Sequence, residues 1–164
     1  MTTDFARLLA LHQPRVHRAA RGLLYDEQEA REVAQEALAR AWAARSRYDS
    51  TKPFYPWLYT IVRNACRDAA ARRRNRARPG LDSERLLSTA PSPLASLAAR
   101  EGRDLVRRGM ARLPEEQRDL LTLRHFEDLT YAEIAQTLEV PVGTVMSRLY
   151  RARKALLTQI EEAQ

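Results

Sequence analysis

Cysteine is almost missing from these 164 residues. The one thiol, Cys66, excludes an internal disulfide. It sits among apolar and small residues at helical spacing, the setting of a buried structural thiol rather than of a redox sensor. Glycine is also scarce, with five residues, and there are only three histidines. His12 and His17 lie five positions apart, off a common helical face, so we expect no metal site. His125 reads as a cap or surface residue. No paired carboxylates, nucleophile–histidine pair or metal-ligand cluster stands out. We therefore expect no catalytic residues, no metal and no cofactor, and not an enzyme. There is no signal-peptide pattern and no apolar run long enough for a bilayer. The expectation is a cytoplasmic protein without membrane insertion.

Present instead is a helix-forming composition. Hydrophobic residues make up 45%, and Ala, Leu, Arg and Glu dominate. The length allows one domain or two small ones. The net charge of +7 and pI near 10.2 favour an anionic partner, nucleic acid before membrane.

Periodicity predicts a helix from Asp4 to Leu24, with Phe5, Leu8, Leu9, Val16, Ala19, Ala20 and Leu23 inward. Pro14 predicts a kink, or a second helix restarting there. A second helix is expected from Asp26 to about Arg47, with Val33, Ala37, Ala41 and Trp42 inward. Its Glu32, Gln35, Glu36 and Arg40 face out, as a solvated face or as a docking surface. The loop Arg47 to Pro53 follows. Six of the eleven aromatics lie between Trp42 and Tyr59. Trp42 and Trp57 are candidates for the core, and the group suits either core packing or stacking on unpaired bases.

A third helix carries Ile61, Val62, Ala65 and Ala69 inside. From Arg63 to Arg78 there are seven arginines and one acid, Asp68, so nearly all the net charge is local. A solubilising helix end would need fewer, and the run beside aromatics reads as a nucleic-acid footprint. From Pro79-Gly80 to about Leu97 the pattern is irregular and reads as a linker. Extended, it reaches roughly 65 Å, close to two turns of DNA at about 34 Å each. Further helices are expected from Ser96 to Arg112, with Leu97, Leu105, Val106 and Met110 apolar, and after Leu113, opened by Pro114-Glu115-Glu116. The latter has Leu120, Leu121, Leu123 and Phe126 on its apolar side.

The stretch Leu129 to Lys154 reads as a short helix, a turn and a basic helix. Thr130 and Glu133 form a capping-box pattern. Pro141 and Gly143 punctuate the turn. Val145, Leu149, Ala152 and Leu156 point inward, while Thr144, Ser147, Arg148, Arg151 and Lys154 take the other side. An ordinary helical hairpin with a solvated face would also fit. Short hydroxyls and arginines opposite an apolar stripe suit a helix entering the major groove.

Two blocks together resemble a known family. Glu32 to Trp42, then Phe54-Tyr55-Pro56-Trp57-Leu58-Tyr59 and Arg63-Asn64, look like region 2 of bacterial sigma factors. Leu113 to Arg118, then Thr130 to Ala135 and Val142 to Arg153, look like region 4. Only these two regions with a short linker resemble the extracytoplasmic-function (group IV) sigma factors of the sigma-70 family. The resemblance implies an all-α fold of two small helical domains joined by a flexible linker. Residues 1–78 would be region 2, 79–97 the linker and 98–164 region 4. It implies binding to core RNA polymerase, through the β′ clamp helices and the β flap, and to promoter DNA. It also implies control by an anti-sigma factor.

By position, Gln35, Glu36 and Arg40 match the face that docks on polymerase. The loop Tyr48 to Pro53, including Asp49 and Ser50, matches the one that captures a flipped minus-10 base. Phe54, Trp57, Arg63 and Asn64 match the minus-10 surface, to which the arginine run adds Arg67, Arg73 and Arg74. Thr144, Ser147, Arg148, Tyr150 and Arg151 match the minus-35 helix, with Lys154 on the same polar side. Met146 departs from the family's more usual Arg or Lys, Pro56 from a small polar or basic residue, and Ala34 from a branched one. A stand-alone helix-turn-helix regulator would explain residues 113–157 but leave Gln35 to Arg78 without a role. A small nucleic-acid-processing enzyme would need acidic or histidine clusters that the chain lacks.

Overall fold

The computed structural model describes residues 2–76 and 95–162, with side chains described for 4–76 and 101–162. Among these, every regular element is a helix: α1 (Thr2–Leu24), α2 (Glu27–Ala43), a 3-10 turn at Arg45–Arg47, α3 (Phe54–Arg76), α4 (Ala95–Arg112), α5 (Glu115–His125), α6 (Tyr131–Leu138) and α7 (Val142–Glu161). The segment read as a linker lies outside the described residues up to its last few positions, where α4 begins.

The first three helices form one unit. Of the kink and the restart expected at Pro14, the restart does not occur: α1 runs through Pro14 as a single helix. Proline removes one amide donor, but the buried residues Phe5, Val16 and Leu23 stay in phase on one face either side of it. Packing of that stripe outweighs one missing bond. Tyr25 leaves the helix with a left-handed φ of 60°. Asp26 then caps α2, its carboxylate accepting from the Glu29 amide at 2.6 Å. The α-helix ends at Ala43, short of the expected Arg47, because Arg45–Arg47 tighten into the 3-10 turn. Ala30, Val33, Ala34, Ala37 and Ala41 line the buried side of α2, which packs against both α1 and α3, and Leu58, Val62, Ala65 and Ala69 are the buried residues of α3 in the same core. Small side chains let these helices approach closely. Cys66 lies in this core, and burial pushes its thiol up to about 12, which leaves no thiolate at neutral pH.

In the second unit α4, α5 and α6 all pack on α7. Its core is Met110, Leu113, Leu120, Leu121, Leu123, Ile134, Val145, Leu149 and Ala152. Val106, expected on the apolar side, is 41% exposed. Pro114 sits at the N-cap of α5, and Glu115 and Glu116 fill its first turn.

The units also touch each other, α1 against α5 and α3 against α6. The fit is close at Gly22. A Cβ there would stand 2.5 Å from Thr122 Cγ2 and 3.1 Å from Phe126 Cγ, so glycine is needed for approach rather than for a turn.

Candidate nucleic-acid interface

The helix-turn-helix is built as its sequence implies. Thr130 accepts from the Glu133 amide at 3.3 Å, and Glu133 accepts from the Thr130 amide at 2.8 Å. The reciprocal pair fixes where α6 starts. Glu139, in the left-handed region at φ 55°, ends it, and the Val140 amide donates to Ala135 O at 3.0 Å. Pro141 is the N-cap of α7. Gly143 was expected in the turn but lies inside the first turn of α7. The left-handed step that would favour glycine is taken by Glu139 instead.

On α7, Val145, Leu149 and Ala152 are buried, which turns the opposite face outward. Ser147, Tyr150, Arg151 and Lys154 are exposed, and Thr144 and Arg148 half-buried. Ser147 donates to Thr144 O at 3.1 Å, so its own proton is occupied within the helix. Arg148 forms an ion pair with Glu116 of α5. Beside the polar face runs a ridge of exposed apolar groups, Val142 at 43%, Met146 at 55% and Tyr150 at 69%.

The loop after the 3-10 turn is tied to itself. Tyr48 donates its hydroxyl proton to Lys52 O at 2.7 Å. The Asp49 carboxylate accepts from the Thr51 hydroxyl at 2.7 Å and amide at 3.0 Å, which holds it below the usual carboxylate range. Ser50 is exposed beside it. The aromatics are chiefly a packed cluster centred on Phe5. Its ring lies 5.5 Å from Phe54, 5.9 Å from Trp57 and 6.1 Å from both Trp42 and Tyr48. Two expectations change here. Phe54, matched to a DNA-contacting surface, is only 7% exposed and offers no open face. Trp42, a candidate for the core, is 37% exposed, with the Arg45 guanidinium 4.9 Å from its ring centre. Phe54 is enclosed by the rings of His12 and Tyr48, each at 5.1 Å, as well as by Phe5, whereas Trp42 meets the cluster only through Phe5. Trp57 is half-buried.

The arginine run is largely paired. Arg73 reaches Glu29 at 2.8 Å and Arg72 reaches Glu36 at 3.1 Å. Asn64 and Arg74 are exposed. Arg40 pairs with Glu36 and, at 2.7 Å, with Asp68, while Gln35 stands exposed beside them. This face of α2 is a charge-balanced network rather than a set of free ends.

Sequence reasoning missed the acids that face α3. Tyr55, Tyr59, Arg63 and Arg67 recur every four residues, so they share one side of the helix. Running antiparallel to them are Glu127, Asp119 and Glu115. Tyr55 donates to Glu127 at 2.9 Å and Tyr59 to Asp119 at 3.2 Å. Arg63 lies 3.5 Å from Asp119. The Arg67 Nε stands 3.0 and 3.2 Å from the two oxygens of Glu115. Arg15 and Arg18 of α1 also reach Glu127, at 3.4 and 3.5 Å. Asp119 and Glu127 are buried. Burial pushes Asp119 up to about 6 against the pull of Arg63, and raises Glu127 as well. Arg67 holds Glu115 below the usual range. The fourfold spacing of Tyr55, Tyr59, Arg63 and Arg67 was the available signal.

Among the described residues no group of three or more His, Cys, Asp or Glu is placed to hold a metal ion, and no helix is long and apolar enough to cross a membrane.

Comparison with known proteins matches residues 8–77 to Sigma-70 region 2 and residues 103–156 to Sigma-70, region 4. The RNA polymerase sigma-H factor of Pseudomonas aeruginosa is 35% identical over 142 residues, covering 81% of this chain and 74% of that protein. The ECF RNA polymerase sigma-E factor of Escherichia coli K12 is 32% identical over 140 residues, covering 79% and 73%. Among solved structures, the sigma factor RpoE of Bartonella quintana, in complex with the anti-sigma factor NepR, superposes with a TM-score of 0.70 over 96% of this chain and 97% of that one, at 24% identity. The helix-turn-helix, the helical unit before it and these relatives agree: the chain belongs to the extracytoplasmic-function family of RNA polymerase sigma factors, and its function is promoter-specific initiation of transcription.

Proposed function

We propose that α7 reads the minus-35 element through Thr144, Ser147, Arg148, Tyr150, Arg151 and Lys154. The observation that carries this reading is the polar face of α7, turned outward by burial of Val145, Leu149 and Ala152 in a capped helix-turn-helix. In a major groove, arginines on such a face reach guanine edges or phosphates.

The minus-10 element falls to the loop Tyr48, Asp49 and Ser50 and to Trp57, Arg63, Asn64, Arg67, Arg73 and Arg74. Phe54 supports this surface from beneath. Gln35, Glu36 and Arg40 dock on the β′ clamp helices, and the second unit docks on the β flap. On this reading residues 1–78 and 98–164 are the two working domains. The chain makes no bonds itself; it acts in the cytoplasm, where polymerase supplies the chemistry, and an anti-sigma factor restrains it.

Reconstitution with core polymerase tests the reading. A promoter-dependent transcript is expected, and it is lost when Gln35, Glu36 and Arg40 are changed together to alanine. Transcription that survives this change, or no binding of the unaltered chain to core enzyme, overturns it.

A further inference from the structure

The arginine run at the end of α3 is not one surface. Arg63, Arg67 and Arg74 follow at intervals of four and seven residues, so they share one side of the helix. Asp68 and Arg72, four residues apart, lie on another side, the one turned toward α2. There they complete an alternating chain of charges. Asp68 accepts from Arg40 at 2.7 Å, Arg40 also engages Glu36, and the second oxygen of Glu36 accepts from Arg72 at 3.1 Å. Arg40 thus gives its two terminal nitrogens to different acids, and Glu36 its two oxygens to different arginines. The four side chains are 35% to 50% exposed, so a partner can reach them.

Exposed pairs of this kind add little to stability, because water screens them and ordering two long side chains costs entropy. Their effect on binding differs. The ordering precedes the encounter, so a partner meets Glu36 and Arg40 already in one geometry. Nor does the pairing exhaust them. A guanidinium has five N–H donors and a carboxylate about four acceptor sites, which leaves both able to bond outward.

We propose that Asp68 and Arg72 are positioning residues for polymerase docking. From α3 they hold Arg40 and Glu36 of α2 in the conformation that core polymerase engages, and polymerase adds its bonds to the intact chain of charges rather than dissolving it. The proposal rests on the assignment of Glu36 and Arg40 to the docking surface. On it α3 serves two partners, one side facing the promoter and another steadying the contact with the enzyme.

The affinity of the full chain for core polymerase, measured by competition against a fluorescent parent chain, tests it through double-variant cycles. Asp68→Ala and Arg72→Ala should each weaken binding about three- to tenfold, the cost of ordering one long side chain on docking, with little change in thermal unfolding. Asp68→Asn and Arg72→Gln, which remove the charge and keep the length, take their place if alanine disturbs folding. Added to Arg40→Ala, Asp68→Ala should cause no further loss; added to Glu36→Ala, Arg72→Ala should cause none.

Losses that simply add in the double variants, or that track a fall in unfolding temperature, overturn the proposal. Arg40→Ala and Glu36→Ala alone separate the two layers. If they weaken core binding while Asp68→Ala and Arg72→Ala do not, only the positioning role fails; if they leave it intact, the docking assignment fails and the proposal falls with it.

Discussion

Tyr59 and Asp119 meet across the two units, the phenol hydroxyl donating to the carboxylate at 3.2 Å with both residues buried. Burial and the adjacent carboxylate raise the phenol well above its ordinary value, so it remains a donor at every physiological pH. Tyr59→Phe removes that donor and leaves Asp119 to Arg63 alone. The loss should be about 1–3 kcal/mol of stability, the cost of leaving a buried acceptor short of a partner. Urea unfolding of the two proteins measures it, and a difference near zero would show that water replaces the hydroxyl.

The same carboxylate makes the packing pH-dependent. Asp119 titrates near 6 in the folded chain against an ordinary 3.8. Its raised value means that the packed state favours the protonated acid. That stabilisation is complete below about 4 and is lost as pH rises through about 6, amounting to about 3 kcal/mol between the limits. Tyr59 and Arg63 of α3 and Glu115 of its own helix face it. The difference in stability between the parent and Asp119→Asn, followed from pH 4 to 8, should change in that window and be flat above it. A difference that does not vary with pH contradicts the assignment.

Gly22→Ala should destabilise the chain by about 1–3 kcal/mol, the usual cost of overpacking. The added methyl meets Thr122 Cγ2 first. Thr122→Ser removes that atom, so the double variant should recover part of the loss in thermal unfolding. No recovery would place the strain on Phe126 instead.

Arg148→Ala should weaken promoter binding by about 1–3 kcal/mol at one upstream base. Binding of the reconstituted enzyme to promoters substituted base by base reads this out. Equal loss on every sequence would show that Arg148 holds only phosphate. The neighbouring Met146, 55% exposed, gives a second readout: an apolar side chain there favours thymine methyl over a guanine edge.

Arg73 and Arg74 should separate in salt titrations. Arg73 is engaged by Glu29 at 2.8 Å, while Arg74 is exposed with no ion pair among the described residues. Arg74→Glu should therefore lower the slope of log affinity against log salt by about 1, and Arg73→Glu by less. Equal slopes for parent and Arg74→Glu would remove Arg74 from the DNA surface.

What could be read from the sequence was what is local. The capping box at Thr130 and Glu133, the inward stripe of α7 and the alanine-rich face of α2 are patterns within one helix, and periodicity exposes them. The departures involve distant partners. Phe54 is buried because Phe5 and His12, far off in the chain, pack against it, and Pro14 is tolerated because the stripe of α1 has a core on both sides of it. Glu115 and Glu116 were legible as acids in a first helical turn, but not as the counterions of Arg67 and Arg148. The stripe from Tyr55 to Arg67 was divided between an aromatic cluster and an arginine run, which hid its common face.

One consequence concerns how weak the contact between the halves is allowed to be. Eighteen residues separate Arg76 from Ala95, and covalent linkage over so short a length keeps the two units at an effective concentration on the order of millimolar. A pairing whose two pieces would dissociate with a constant of about 0.1 mM as separate molecules is then about nine-tenths formed within one chain. Cutting the chain between those helices should free both halves with no residue of the interface altered. The strength of the clasp is in large part a property of the chain's connectivity, and it is adjusted by tether length as readily as by side chains.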